Sequence, residues 1–399
     1  MKHLYCSSLI LILLVVLLAK TGAAQTDPQP VCGNGMIELS TAPVILTEEC
    51  DGAALAEQTC SSLGFSGGPL SCTATCQFET RDCTDGPRVY VVSTRKNRVS
   101  AISTATNTVI ATIRVGKRPR GIALSPNGAL AYVTNFGGNT VSVINTATNT
   151  VLGRIRVGRG PQGVAFTPDG ARAYVVNSRS NTVSVISGVF SSESAILVGA
   201  DLLGFNGPGE IPVGQEPQAI AITPDGLRAY VTNFADDTVS ILNLTTNTVE
   251  ATITVGDGPN GVAVTPDGTR VIVANFNGGT ISVIDTNTNT VTDTREVGLL
   301  PAKVTFSADG ATTFVTNFQD ETVEVIRTAD LASLTFYNVG DSPDGIVVTT
   351  AGRRAYVALF DRAGRGRAVG VFNATTGADI TFIRVPRGPF AIAVTPSSP

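Results

Sequence analysis

Histidine is almost missing from this 399-residue chain: the single copy is His3. Tryptophan is absent, methionine occurs twice, and no cysteine follows Cys83. Each absence removes a class of chemistry. A Ser-His-Asp or Cys-His device needs an imidazole, and none occurs beyond residue 3. Zinc, copper or haem sites built on histidine fall with it. No P-loop or EF-hand pattern occurs, so no cofactor and no metal is expected. Charged residues make up only 15% against 43% hydrophobic. That balance suits extensively buried sheets and argues against disorder.

What is present starts with a leader. Lys2 and His3 precede the apolar run Leu9 to Ala19, and small residues follow through Ala24. Residues 1–24 therefore read as a cleaved signal peptide, with a retained membrane anchor as the alternative. The expected location is periplasmic, cell-surface or extracellular. No later run is long and apolar enough to span a bilayer. Residues 25–84 hold eight carboxylates against one cation, Arg81, and six cysteines: Cys32, Cys50, Cys60, Cys72, Cys76 and Cys83. An even, dense set in an exported chain reads as three disulfides whose pairing the sequence leaves open. A core this small needs such staples. The stretches "CGNGMIE" and "EECDG" resemble the Cys-rich modules of secreted myxobacterial-type proteins. That resemblance implies an exported module and names no ligand.

From Asp85 onward a repeat takes over. Its punctuation is "SPNG" at 125, "TPDG" at 167, 223 and 265, "SADG" at 307, "TTAG" at 349 and "TPSS" at 395. Most copies are 42 residues apart, and one gap is 56. Each unit offers four strand candidates, as in "GVAFT", "RAYVVN", "TVSVIS" and "VLGRIRVG", separated by Asn-Thr, Gly-Gly and Asp-Gly turns. Seven such units predict an all-β chain: a seven-bladed β-propeller of four-stranded antiparallel blades over residues 85–399. "YVTNF" at 132 and 230, "YVVNS" at 174 and "FVTNF" at 314 resemble the YVTN-type β-propeller repeat family. The family implies a usually exported propeller and no single activity.

Label the strands A to D from the channel outward. The chain enters on a B strand, "RVYVVS", and ends on an A strand, "FAIAVTP", so the last strand must complete the first blade. The A strands read as apolar throughout and buried on both faces, with small residues such as Ala123, Ala165 and Ala221 at their centres. A–B and C–D turns then share one face of the disc, and B–C loops and D–A crossovers share the other. Fourteen extra residues, within about 188–209, fall in one C–D connection. They read as an extended hairpin or a docking segment.

Charge is unevenly spread. Residues 88–179 carry thirteen cations and one acid, and residues 180–344 carry five cations and twenty acids. Residues 345–399 carry seven cations and two acids. Ring closure joins the two basic segments. The candidate binding residues are Arg95, Lys96, Arg98, Arg179, Arg362, Arg365 and Arg367 from B–C loops. Lys117, Arg118, Arg120, Arg159 and Arg387 join them from D–A crossovers. Such an arc attracts an anionic surface polymer or an acidic protein. Nucleic acid is a less favoured partner. A solvated charge pattern and weak head-to-tail self-association stay open.

The repeated acids Asp169, Asp225, Asp267 and Asp309 read as turn formers. Phe136, Phe234, Phe276, Phe318 and Phe360 read as packing between blades rather than a sugar-stacking ring. Asn135, Asn177, Asn233, Asn275 and Asn317 read as ligands of loop backbone. The reading is a non-enzymatic exported binding protein. A carboxylate-dependent lyase or glycosidase at the channel mouth, or a structural surface-layer component, is the alternative.

Overall fold

The computed structural model describes residues 86–187, 210–349, 354–360 and 366–396, and the backbone of 71–72 and 78–79. The chain divides into two compact units, residues 1–63 with 67–84 and residues 64–66 with 85–399. In the first unit Ser71–Cys72 pairs antiparallel with Phe78–Glu79. The other five cysteines, the expected disulfides, the leader, Arg362, Arg365 and the 188–209 insertion lie outside the described residues. Among the described residues no helix is long and apolar enough to cross a membrane.

Residues 86–396 form a seven-bladed propeller, all β, of four-stranded antiparallel blades. Blade 1 holds strands B Arg88–Ser93, C Arg98–Ser103 and D Thr108–Arg114, and takes its A strand from Pro389–Val394. That closure pairs Tyr90 with Ala393 and Val91 with Ile392. The A strands of blades 2 to 7 are Pro119–Leu124, Pro161–Phe166, Pro217–Ile222, Pro259–Val264, Pro301–Phe306 and Pro343–Val348. In blade 3 strand C ends at Ser187, and its described D strand is only Ile211–Pro212.

The repeated Tyr-Val-Thr-Asn run works residue by residue as a latch between blades. The tyrosine is fully buried and its hydroxyl donates to an asparagine in the next blade's C–D turn. Tyr90 reaches Asn149 at 2.8 Å, Tyr174 reaches Asn247 at 2.8 Å and Tyr356 reaches Asn107 at 2.7 Å. Those asparagines hold φ near +55°, a left-handed turn position that asparagine tolerates. Where the next turn has Leu331 at that place, the tyrosine is replaced by Ile272, which needs no partner. Tyr132 breaks the rule. Its buried hydroxyl has no partner among the described residues, and the next blade's C–D connection is the one with the insertion.

The valine fills the core between blades. The threonine hydroxyl accepts from a bulged A-strand amide and donates to the next blade's A-strand carbonyl. Thr134 bridges Gly121 N at 2.7 Å and Gln162 O at 2.6 Å. The asparagine is fully buried, and it bonds hydroxyls rather than the loop backbone expected from sequence. Asn135 Nδ2 donates to Thr140 Oγ1 at 3.0 Å and Ser142 Oγ at 2.9 Å. Gly116 packs directly on it: a Cβ there would lie 2.4 Å from Asn135 Cγ. In the closing blade the glycine becomes Pro386, and a smaller Ser93 donates to its carbonyl at 3.0 Å.

Burial corrects one further expectation. B and C strands are the ones buried on both faces. The A strands are half-exposed, begin two residues earlier than their apolar part, and line the lumen. The turn acids behave as expected: Asp169 Oδ1 accepts from Thr167 Oγ1 at 2.5 Å and from Ala171 N at 2.9 Å. These bonds hold its carboxyl below the usual carboxylate range.

Candidate functional site

In blades 1 to 4 and 6 the B–C loop is tied to a neighbouring D–A crossover by a side chain that accepts a backbone N–H. On the basic side neutral groups do this. Asn97 accepts from Arg118 N at 2.8 Å, Asn139 from Gly160 N at 3.1 Å, and Ser180 from Arg159 N at 2.7 Å. On the other side the same task falls to carboxylates. Asp236 accepts from Gln215 N at 2.7 Å, Asp237 from Gly258 N at 2.8 Å, and Asp320 from Leu299 N at 2.7 Å. Asp236, Asp237 and Asp320 therefore have a backbone role. The cations have none of this kind.

Those cations gather. The guanidinium carbons of Arg118, Arg120 and Arg179 lie 5.7, 4.9 and 4.6 Å from the centre of the Phe136 ring. Arg95 stands 5.7 Å from Phe360. Such stacking holds guanidiniums without neutralising them. Lys96, Lys117, Arg159 and Arg387 are exposed on the same loops. Arg98 opens strand C of blade 1, and Arg367 directly precedes strand C of blade 7, so both are half-buried rather than free loop residues. The phenylalanines pack between blades, and one has a role not weighed in the sequence. Phe276–Phe318 and Phe318–Phe360 link neighbouring blades at 6.2 and 6.3 Å, and Phe136 forms a platform for cations.

Beside the cluster, between blades 1 and 2, lies an open groove of about 810 Å³. Arg114, Lys117, Arg154 and Arg156 line it, with Gly116, Gly137 and Asn139, and no carboxylate does. Gly137 also sits against the stem of Arg118, so groove and cluster are continuous. Sequence reasoning missed Arg114, Arg154 and Arg156, because it credited loops and treated D strands as rim. The signal was the alternation in "GRIR", which puts both arginines on one exposed face.

Arg120 is reassigned. It lies in an A strand, half-buried, between the rings of Phe136 and Phe390, the latter 5.0 Å away. It opens into a smaller cavity at the channel mouth together with Gln162, Gln218, Asn260 and Lys303. Among the described residues no group of three or more His, Cys, Asp or Glu side chains could hold a metal ion.

A family model described as "Lactonase, 7-bladed beta-propeller" matches residues 147–306. No curated protein gives a significant match. Among solved structures, a functionally unknown protein from Desulfotomaculum acetoxidans DSM 771 aligns with a TM-score of 0.66 and 19% identity, over 77% of this chain and 99% of that one. Kuenenia stuttgartiensis hydrazine synthase aligns with a TM-score of 0.56 and 22% identity, over 68% of this chain and 86% of that one. At these identities the likeness is one of fold: the chain is a β-propeller, similar over part of its length to the seven-bladed lactonase propellers.

Proposed function

We propose that the protein is an exported, non-enzymatic binding protein whose loop face holds an anionic polymer across blades 1 to 3. The observation that carries this is the groove lined by Arg114, Lys117, Arg154 and Arg156 without a carboxylate, continuous with the Arg118–Arg179 cluster on Phe136. Four like charges along one groove repel each other, and nothing in the backbone requires them. A polyanion relieves that repulsion and releases its own counterions. Arginine suits sulfate, phosphate and carboxylate by forked hydrogen bonding. The YVTN-type resemblance and the leader support the exported setting. The test is retention on immobilised dextran sulfate. Elution should require well above physiological salt for the wild type. It should fall to that of an uncharged resin for the triple variant Lys117→Glu, Arg154→Glu, Arg156→Glu. Equal retention of both proteins rejects the site.

A second reading, a carboxylate-dependent hydrolase at the channel mouth, is favoured by the lactonase-type match and by Asp344. This acid is buried in the seventh A strand and raised to about 6 by burial, with Lys303 and Arg120 opposing the shift. A carboxyl titrating near neutrality suits general acid–base work. Turnover of simple aliphatic and sugar lactones, abolished in Asp344→Asn, would establish it. Absence of turnover leaves the binding reading alone.

A further inference from the structure

The second residue of each A strand reads Arg120, Gln162, Gln218, Asn260, Ala302, Asp344 and Phe390 around the ring. A scaffold repeat has no reason to vary this way, because the third residue is held almost constant. It is glycine or alanine in every blade except blade 6, which has Lys303. The constancy is steric: a Cβ on Gly121 would lie 2.1 Å from Gln162 O. Blade 6 escapes by a shifted bulge. Its A strand resumes pairing at Lys303, opposite Thr316, one residue earlier than the others. The preceding Gly261 leaves room, since a Cβ there would meet Lys303 Cα at 2.8 Å.

The polar groups are only partly engaged. Lys303 Nζ donates to Asn260 Oδ1 at 2.9 Å. Arg120 touches Gln162 Oε1 at a long 3.4 Å, and its Nε is buried without a partner. Gln162 Nε2 donates to Gln218 Oε1. Asp344, 5% exposed, has Oδ1 buried and unpartnered. Thr316 fixes its place beside Lys303, accepting from Lys303 N at 3.0 Å and donating to Asp344 O at 2.9 Å. Burial pulls the Lys303 ammonium down, and the nearby Asp344 charge opposes that shift. Among the described residues no ion pair within 4 Å joins Asp344 to either cation, so both cations keep donors to give.

We infer that the channel mouth, a cavity of about 230 Å³, binds a small hydroxylated carboxylate, with Arg120 and Lys303 on the carboxylate, the amides of Gln162, Gln218 and Asn260 on its hydroxyls, and Phe390 as an apolar wall. Two cations against one acid leave the site with one uncompensated positive charge, which a monoanion balances. The amide arc offers both donors and acceptors, which hydroxyls use and a bare anion does not. A cavity of this size takes a monomer and excludes a folded chain. The inference goes beyond polymer binding in the groove and does not rest on it. It needs no turnover either, so it stands apart from the hydrolase reading.

The probes are the monoanions D-glucuronate and D-glycerate, with D-glucose and propionate as partial ligands, measured by titration calorimetry at pH 7. Glucose keeps the hydroxyls without the charge, and propionate keeps the charge without the hydroxyls. At least one of the two hydroxy acids should bind, and glucose and propionate should bind at least tenfold more weakly. Lys303→Met and Arg120→Met should each weaken that ligand about 10- to 100-fold, the loss expected for a charge-assisted hydrogen bond. Asn260→Leu, which retains both cations, should weaken the hydroxy acid and leave propionate unchanged. The groove variant Arg154→Glu, Arg156→Glu should bind it like wild type. No heat from either hydroxy acid up to 10 mM (a limit of about 3 kcal/mol of binding) overturns the inference. So does binding that survives Lys303→Met and Arg120→Met, or that is lost with the groove variant.

Discussion

The two sides of the loop face solve one structural problem with different residues. Each must cap the backbone of a D–A crossover from a neighbouring B–C loop. Blades 4 and 6 use Asp236, Asp237 and Asp320, whereas blades 1 to 3 use Asn97, Asn139 and Ser180. The acidity of one side is therefore at least partly a by-product of building the scaffold. The basicity of the other is not, because Arg114, Lys117, Arg154 and Arg156 cap nothing and line a groove. Charge that the fold needs is weak evidence of a ligand. Charge that the fold does not need is stronger evidence.

The comparison depends first on ring closure, which brings residues 354–396 beside blade 1. Deleting residues 388–399 removes the A strand of blade 1 and bares a sheet edge along Val89 to Ser93. The expected result is loss of the cooperative thermal transition. An unchanged melting curve would break the closure account and the joined basic arc with it.

A smaller loss is expected within the acidic side, where one acid is neither a cap nor a turn former. Glu324 stands where the C strands of blades 1 to 5 have serine, is 1% exposed, and pairs with Arg295 of the preceding blade at 2.6 Å. Glu324→Ala leaves Arg295 facing a cavity. A loss of about 3–5 kcal/mol in denaturant unfolding is expected for a broken buried pair, and a loss below 1 would show the pair to be solvated.

Asp344 sharpens the contrast between channel and rim by pH. A carboxyl raised from 3.8 to about 6 in the folded chain holds its proton more tightly when folded. Its contribution to stability is therefore present at low pH and lost as pH rises from about 4 through about 6, by an amount on the order of 3 kcal/mol. Asp344→Asn should flatten that part of the pH–stability profile. A wild-type curve that rises through the same window would contradict the burial of this acid.

The smallest effect on stability separates the loops themselves. Asp237→Ala removes a backbone cap and should cost about 1 kcal/mol, as loss of a side-chain cap does at helix ends. Arg154→Ala and Arg156→Ala should leave unfolding within about 0.5 kcal/mol of wild type, since surface changes away from structural contacts do little. Equal losses on both sides would erase the distinction.

Much of the fold was legible because the repeat states it seven times. Turn spacing gave the blades, and the terminal strand types gave the closure. The roles inside the motif were harder. Asn135 looks like a loop ligand by position, and only the blade-to-blade approach of Gly116 shows why its amide turns inward. Apart from Arg120, credited to a crossover, the polar channel residues were missed for a related reason. Their strands were read from the apolar "GVAFT" part, which begins after Gln162 and its equivalents. Lys303 was visible as a departure in a Gly/Ala column, yet that column acquires meaning only once bulges crowd neighbouring A strands. For the groove, the missing information was geometric: D strands of adjacent blades face each other across it.

The central claim is that the groove cations serve a polyanion rather than the fold. The direct measurement is the salt dependence of binding to dextran sulfate, for wild type and for Arg154→Ala with Arg156→Ala. The account predicts that log K for the wild type falls linearly with log salt, and that the double variant has a slope shallower by about one to two units with its melting temperature unchanged. Two parallel lines, or a variant that binds as tightly as wild type at every salt concentration, would contradict it.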